Sequence, residues 1–195
     1  MIRALLLIVD PSRTWEAIKN DQHSVARIST SFLIPLLILT CAGEALGMMR
    51  FGIDRGGLSE KLVTPSQDLL VRYEVTQALL SLIIIYAGAI ALKGIGASFH
   101  RRHSYTECFT TLAYSMSPLF LLRLLDGVPA INTWVCYGVG VFLVMSFLYR
   151  GIPFIMRPDP SNALGLFMFC AFLLLGTTGL AHFVVTQVLD GKFFG

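Results

Sequence analysis

Charge is what this chain has least of. Asp, Glu, Lys and Arg make up only 14% of its 195 residues, against roughly a quarter in a water-soluble domain. Long blocks have none at all: there is no such residue between Asp126 and Arg150, nor between Asp159 and Asp190. About 20 apolar residues cross the hydrocarbon of a bilayer, so these blocks read as membrane spans. A mean hydropathy of +0.70 and a hydrophobic share of 55% agree. The net charge of +3 is small and dispersed, which argues against nucleic acid as a partner.

Other absences narrow the chemistry. The four cysteines, Cys41, Cys108, Cys136 and Cys170, fall one per expected span with no CxxC pair. That pattern builds no disulfide framework and reads as buried thiols. GxSxG, HExxH, a Walker loop and a helix-opening GxGxxG are all missing, so no catalytic residue and no cofactor is expected. Gly94-Ile95-Gly96 lacks the rest of a dinucleotide fingerprint. The apolar stretch Ala4–Val9 has six residues, short of the roughly 7–15 of a signal-peptide core.

What is present predicts an all-α integral membrane protein with five transmembrane helices and a short interfacial N-terminal helix. The expected spans are about 28–49, 75–97, 105–125, 130–149 and 163–189. Residues 1–27 form a cytoplasmic or interfacial lead-in, and 190–195 an extracytoplasmic tail. Asp10-Pro11 suits a helix start, since Asp caps and Pro fits the first position. Trp15 and Ile18 share a face three residues apart, which predicts a helix held in the interface by Trp15. Span one contains Pro35. The stretch from Arg50 to Glu74 reads as the one long loop, its charges balanced. The short turn near Arg101-Arg102 makes spans two and three a hairpin, with anionic lipid headgroups as its expected partner.

The third span is expected to be broken. Pro118 has no N–H and displaces the carbonyl four residues back, that of Tyr114. In lipid that carbonyl needs another donor, and Ser115 and Ser117 carry the nearby hydroxyls. Such a helix belongs inside a bundle.

Positive charges set the orientation. With the N-terminus inside, the inner side collects Arg3, Arg13, Lys19, Arg27, Lys93, Arg101, Arg102, Arg150 and Arg157. The outer side keeps Arg50, Arg55, Lys61, Arg72, Arg123 and Lys192. The expectation is therefore N-inside and C-outside. Ionisable residues at span ends suggest two pairs matched in depth, Lys93 with Glu107 and Glu44 with Arg123. His100 and His103, even with Cys108 beyond, are too few and too loosely fixed for a metal. His182 reads as a hydrogen-bonded core residue, and the GxxxG spacing of Gly43 and Gly47 as either a close-packing face or a coincidence among 17 glycines.

Three stretches together resemble the bacterial branch of the Yip family, the Ypt/Rab-GTPase-interacting membrane proteins. The first runs Asp10-Pro11-Ser12-Arg13-Thr14-Trp15-Glu16-Ala17-Ile18, ahead of span one with its Pro35. The second, Ala113-Tyr114-Ser115-Met116-Ser117-Pro118, is similar to the family's glycine-tyrosine-three-residues-proline signature with Ala for Gly. The third is Tyr149-Arg150-Gly151-Ile152-Pro153. The resemblance implies a five-span domain with a cytoplasmic N-terminus in a bacterial inner membrane. The aspartate-leucine-tyrosine-glycine-proline signature of the eukaryotic members is absent, so no Rab GTPase partner carries over. The expected function is that of a non-enzymatic interaction or membrane-organising protein, bound to the bilayer and to a second copy or another membrane protein. A small transporter or channel subunit is the alternative.

Overall fold

The computed structural model describes residues 2–21, 23–54, 62–98, 103–128 and 130–189. The basic turn at Arg101-Arg102 and the 190–195 tail lie outside the described residues. Within them the chain is helical apart from a two-rung antiparallel ladder, β1 (Ile53–Asp54) with β2 (Leu62–Val63). Two short helices lead, α1 (Ile2–Val9) and α2 (Pro11–Asp21). A first long segment follows: α3 (Val25–Ile28), a π turn (Ser29–Leu33) and α4 (Ile34–Phe51). Then come α5 (Gln67–Ser98), α6 (Tyr105–Ser115), α7 (Ser117–Arg123), α8 (Thr133–Gly151) with a π turn (Ile152–Met156), and α9 (Pro160–Leu189).

Four of these segments are long and apolar enough to cross a membrane: Val25–Phe51, Gln67–Ala97, Thr133–Met156 and Pro160–Leu189. Many of their large apolar side chains face outward, among them Ile90 at 64% exposure and Phe142 at 72%. That arrangement suits lipid as the surrounding medium, because a helix apolar on every side is a buried or membrane helix. The expected third span is cut in two. Neither α6, with 11 residues, nor α7, with 7, is long enough alone. They are the most enclosed part of the molecule, every residue from Cys108 to Phe120 being buried. Cys136 and Cys170 are buried as well, and Cys41 is half-buried; all four cysteines are free thiols.

Each break has a proline behind it. At Pro118 the displaced Tyr114 carbonyl accepts from the Ser117 hydroxyl at 2.7 Å, one of the two donors expected. Pro35 follows the first π turn and Pro153 sits inside the second. A π turn is a local widening of the helix, and the hydroxyls of Ser29, Thr30 and Ser31 donate to the Val25, Ala26 and Arg27 carbonyls around the first.

Two expectations need correcting here. The long loop is shorter than Arg50–Glu74, because α5 starts at Gln67 and takes Asp68, Arg72 and Glu74 into its first turns. Arg72 pairs with Asp68 at 2.9 Å one turn away. More consequentially, Trp15 is no interface anchor: it is 0% exposed, with its Nε1 buried and without a hydrogen-bond partner. The helix that offers an apolar face to the surroundings is α1. Ala4 and Leu7 are buried, while Ile2, Leu5, Leu6, Ile8 and Val9 are exposed.

Packing at the far end is close enough to need glycine. A Cβ on Gly47 would lie 2.7 Å from the Gly127 backbone, and one on Gly43 would meet Leu124 at 2.5 Å. The Gly43/Gly47 face therefore packs against the turn after α7, within one chain.

Candidate functional site

The three resembling stretches, spread over 140 residues of sequence, meet at one point. A Cβ on Gly151 would stand 2.6 Å from Trp15 Cζ2, so the indole occupies the space a side chain there would fill. Trp15 meets Tyr114 edge-on at 6.4 Å between ring centres, and Phe32 covers the other side of Tyr114 at 4.2 Å. Ala113 is buried beside it. Pro11 opens α2 and thereby aims Trp15, while Pro153 and the π turn carry the chain away below Gly151. Tyr149, by contrast, is exposed and packs on Phe167 at 5.3 Å, away from the junction.

Arg3 ties the N-terminal hairpin across this junction. Its guanidinium pairs with Asp21 and also faces the Tyr114 hydroxyl. The Arg3 guanidinium holds the Asp21 carboxyl below the usual carboxylate range, and His23 adds a weaker contact with Asp21 at 3.6 Å.

A cavity of about 650 Å³ opens next to the junction. Lys19 and Asn20 line it from α2, His23 from the following link, Ser104, Thr106, Glu107 and Thr110 from α6, and Ile155, Met156 and Arg157 from the second π turn; Tyr114 is at its base. Glu107 is committed to the helix end. Its carboxylate accepts from the Ser104 backbone N–H at 2.8 Å, while the Ser104 hydroxyl accepts from the Glu107 N–H at 3.2 Å, a capping box. The expected Lys93–Glu107 pair is thus replaced by a cap, and Lys93 is exposed. Shared depth was not enough, because the helix start offered this carboxylate a nearer donor.

The opposite pole holds a buried acidic group. Glu44 is 0% exposed. Its two oxygens accept from Tyr73 Oη at 2.5 Å and from Gln77 Nε2 at 2.6 Å, both on α5. Arg123 does not bond to Glu44 directly; it donates to Ser81 Oγ at 3.2 Å. Its charge nonetheless acts on Glu44, Glu74 and Asp126 together. The expected direct pair is therefore not formed: Glu44 is held by Tyr73 and Gln77, and Arg123 by Ser81. Tyr73 and Gln77 were missed by sequence reasoning, although a lone Gln four residues after a Tyr in an apolar helix was a readable signal. Nearby, His182 is buried as expected but not hydrogen-bonded at Nε2. It stacks on Tyr137 at 4.7 Å and meets the Trp134 edge at 4.5 Å.

Among the described residues, no group of three or more His, Cys, Asp or Glu side chains is arranged to hold a metal ion. His103 is buried at the foot of α6, and His100 lies outside the described residues.

These features define a polytopic α-helical membrane protein with a proline-broken helix at its centre and an N-terminal hairpin locked on one pole. Its sequence matches the model of the Yip1 domain over residues 5–181. The chain belongs to the Yip1 domain family. No curated protein and no solved structure matches it.

Proposed function

We propose that this is a non-enzymatic interaction or membrane-organising protein of a bacterial inner membrane, with α6–α7 as a fifth crossing, the N-terminus cytoplasmic and the C-terminus outside. The observation that carries the reading is the placement of charge. One continuous apolar core joins α1 to α9 through Phe109, Leu112, Met116 and Phe120, and most charged groups lie toward the two ends, the exception being the Arg123 guanidinium, which reaches Ser81 near the middle of α5. A solute pathway needs polar groups near mid-depth; a scaffold that presents its end surfaces does not. The excess of positive charge on the N-terminal side and the resemblance to the bacterial branch support the orientation and the location. A second copy or another membrane protein is the fitting class of partner.

Proximity crosslinking in native membranes, followed by partner identification, tests the reading. Reproducible recovery of a membrane-protein partner supports it. Recovery of lipid and self only, together with solute flux in liposomes, would replace it with a transporter. A cytosolic tag at Gly195 would overturn the topology.

A further inference from the structure

We propose that one buried water molecule bridges His182 Nε2 and Asp126 Oδ1, fastening the turn after α7 to α9. The site depends neither on the function nor on the topology proposed above.

Two polar atoms carry the inference. His182 Nε2 and Asp126 Oδ1 are both buried, and neither has a hydrogen-bond partner. His182 lies on α9 and is 7% exposed. Asp126 sits on the turn that follows α7, where its N–H donates to the Arg123 carbonyl at 3.0 Å. Folded proteins rarely leave buried polar atoms unpaired, and hydrocarbon around the bundle offers no substitute partner. Both side chains line one small cavity. Arg123 and Tyr137 share its polar wall, and Leu119 and Leu122 close the apolar side.

The neighbouring polar groups are already engaged. Thr178 Oγ1 donates to the Leu174 carbonyl at 2.5 Å, so it accepts from Tyr137 Oη at 3.2 Å. That spends the one hydrogen of the Tyr137 hydroxyl. The Tyr137 ring also lies flat on the imidazole, with 11° between planes, whereas Nε2 bonds in the plane of its own ring. Arg123 Nη1 donates to Ser81 Oγ.

Size and charge select the ligand. The cavity measures about 10 Å³, and about 10–15 Å³ with two to four polar partners is the least that holds a water. Nothing larger enters. The Arg123 guanidinium on the wall repels a cation, and the Asp126 carboxylate repels an anion. Water is neutral and carries both hydrogens and lone pairs. Asp126 Oδ1 accepts one hydrogen, the imidazole Nε2 makes the second bond, and the guanidinium stands at the position of a third. Gly127, next along the turn, packs on Gly47 of α4 with no room for a side chain. The bridge thus makes this turn a joint between α4 and α9.

The test is solid-state NMR of the full-length protein in lipid bilayers with isotope-labelled histidine nitrogens, His182→Phe identifying the His182 signals. Magnetisation should pass from water protons to His182 Nε2, although the atom is shut off from bulk solvent. Asp126→Leu removes one partner and fills the cavity, so the transfer should fall several-fold. Asp126→Asn keeps an acceptor oxygen and should hold the transfer near the wild-type rate. A wild-type Nε2 that receives nothing from water would overturn the site, whether the atom stays unpaired or bonds Asp126 directly. Unchanged transfer in Asp126→Leu would overturn Asp126 as the second partner. Elution in detergent shows whether Asp126→Leu folds; if it does not, an Nε2 resonance that stays unshifted in Asp126→Asn would overturn the bridge, and a shifted one would support it.

Discussion

Adding one methyl group at Gly151 sets two known effects against each other. Ala is the better helix former by about 1 kcal/mol, so Gly151→Ala at a position with room would stabilise α8. There is no room: the new Cβ would stand 2.6 Å and 2.8 Å from Trp15 Cζ2 and Cη2. Carbon atoms pack at roughly 3.5–4.0 Å, so the indole must retreat by about 1 Å. Trp15 is fully enclosed and cannot swing into solvent, and overpacking of this kind costs about 1–3 kcal/mol. Gly138, on the same helix, has nothing within 4 Å of its Cβ position, and Gly138→Ala gains the helix term alone. The two variants should therefore differ by about 1–3 kcal/mol, or about 2–12 °C in melting temperature for a chain of this size, with Gly151→Ala lower. Trp15→Phe removes the clashing part of the indole, so the double variant should be less destabilised than the two singles summed. Thermal unfolding in one detergent, followed by tryptophan emission and circular dichroism, measures all four. A Gly151→Ala protein that melts with or above Gly138→Ala, or strict additivity in the cycle, would refute the junction.

Glu44→Ala should be markedly destabilising, because it strands the Tyr73 hydroxyl and the Gln77 amide in a buried site, at about 1–3 kcal/mol for each. Glu44→Gln should cost less, and equal losses in denaturant titrations would count against the pairing. Ser117→Ala should cost about 1 kcal/mol by leaving the Tyr114 carbonyl without its hydroxyl donor. Pro118→Ala should loosen packing around Tyr114, and an unchanged melting temperature would show the kink to be structurally idle. Because Arg3 lowers the Asp21 carboxyl in the folded state, that clip is complete above the carboxyl's ordinary range, about pH 4. It is lost as pH falls through the depressed folded value. Protection of the Ile2–Val9 amides, measured against their intrinsic exchange rates, should fall only on that acid side, and Asp21→Asn should show the lowered protection already at neutral pH.

Much of the architecture was legible in the sequence because lipid makes the code blunt. Charge-free blocks become helices, and a proline in one of them must send a carbonyl elsewhere, as Tyr114 and Ser117 do. Position along the axis could be read from the rise per residue, but position around it could not. Glu44 and Arg123 were matched by the rise per residue, yet Glu44 faces Tyr73 and Gln77. Lys93 and Glu107 were matched in the same way, yet Glu107 turned back to its own helix end. Trp15 was misplaced for a different reason. A lone tryptophan on an otherwise polar helix has the composition of an interface anchor, and only the missing side chain at Gly151, 136 residues on, shows that it is housed. The left-handed backbone of Arg157, which ends the second π turn with φ 47°, had no sequence sign, since glycine is what marks such a turn.

That distance has a consequence during synthesis. A ribosome adding about 5–20 residues per second makes the slot for the indole on the order of ten seconds after the indole itself. Through that interval the nascent N-terminal hairpin has its largest ring unhoused, with three spans already inserting behind it. Whatever shelters it then, whether the leaflet or an insertion factor, must let go before the growing chain can close on itself.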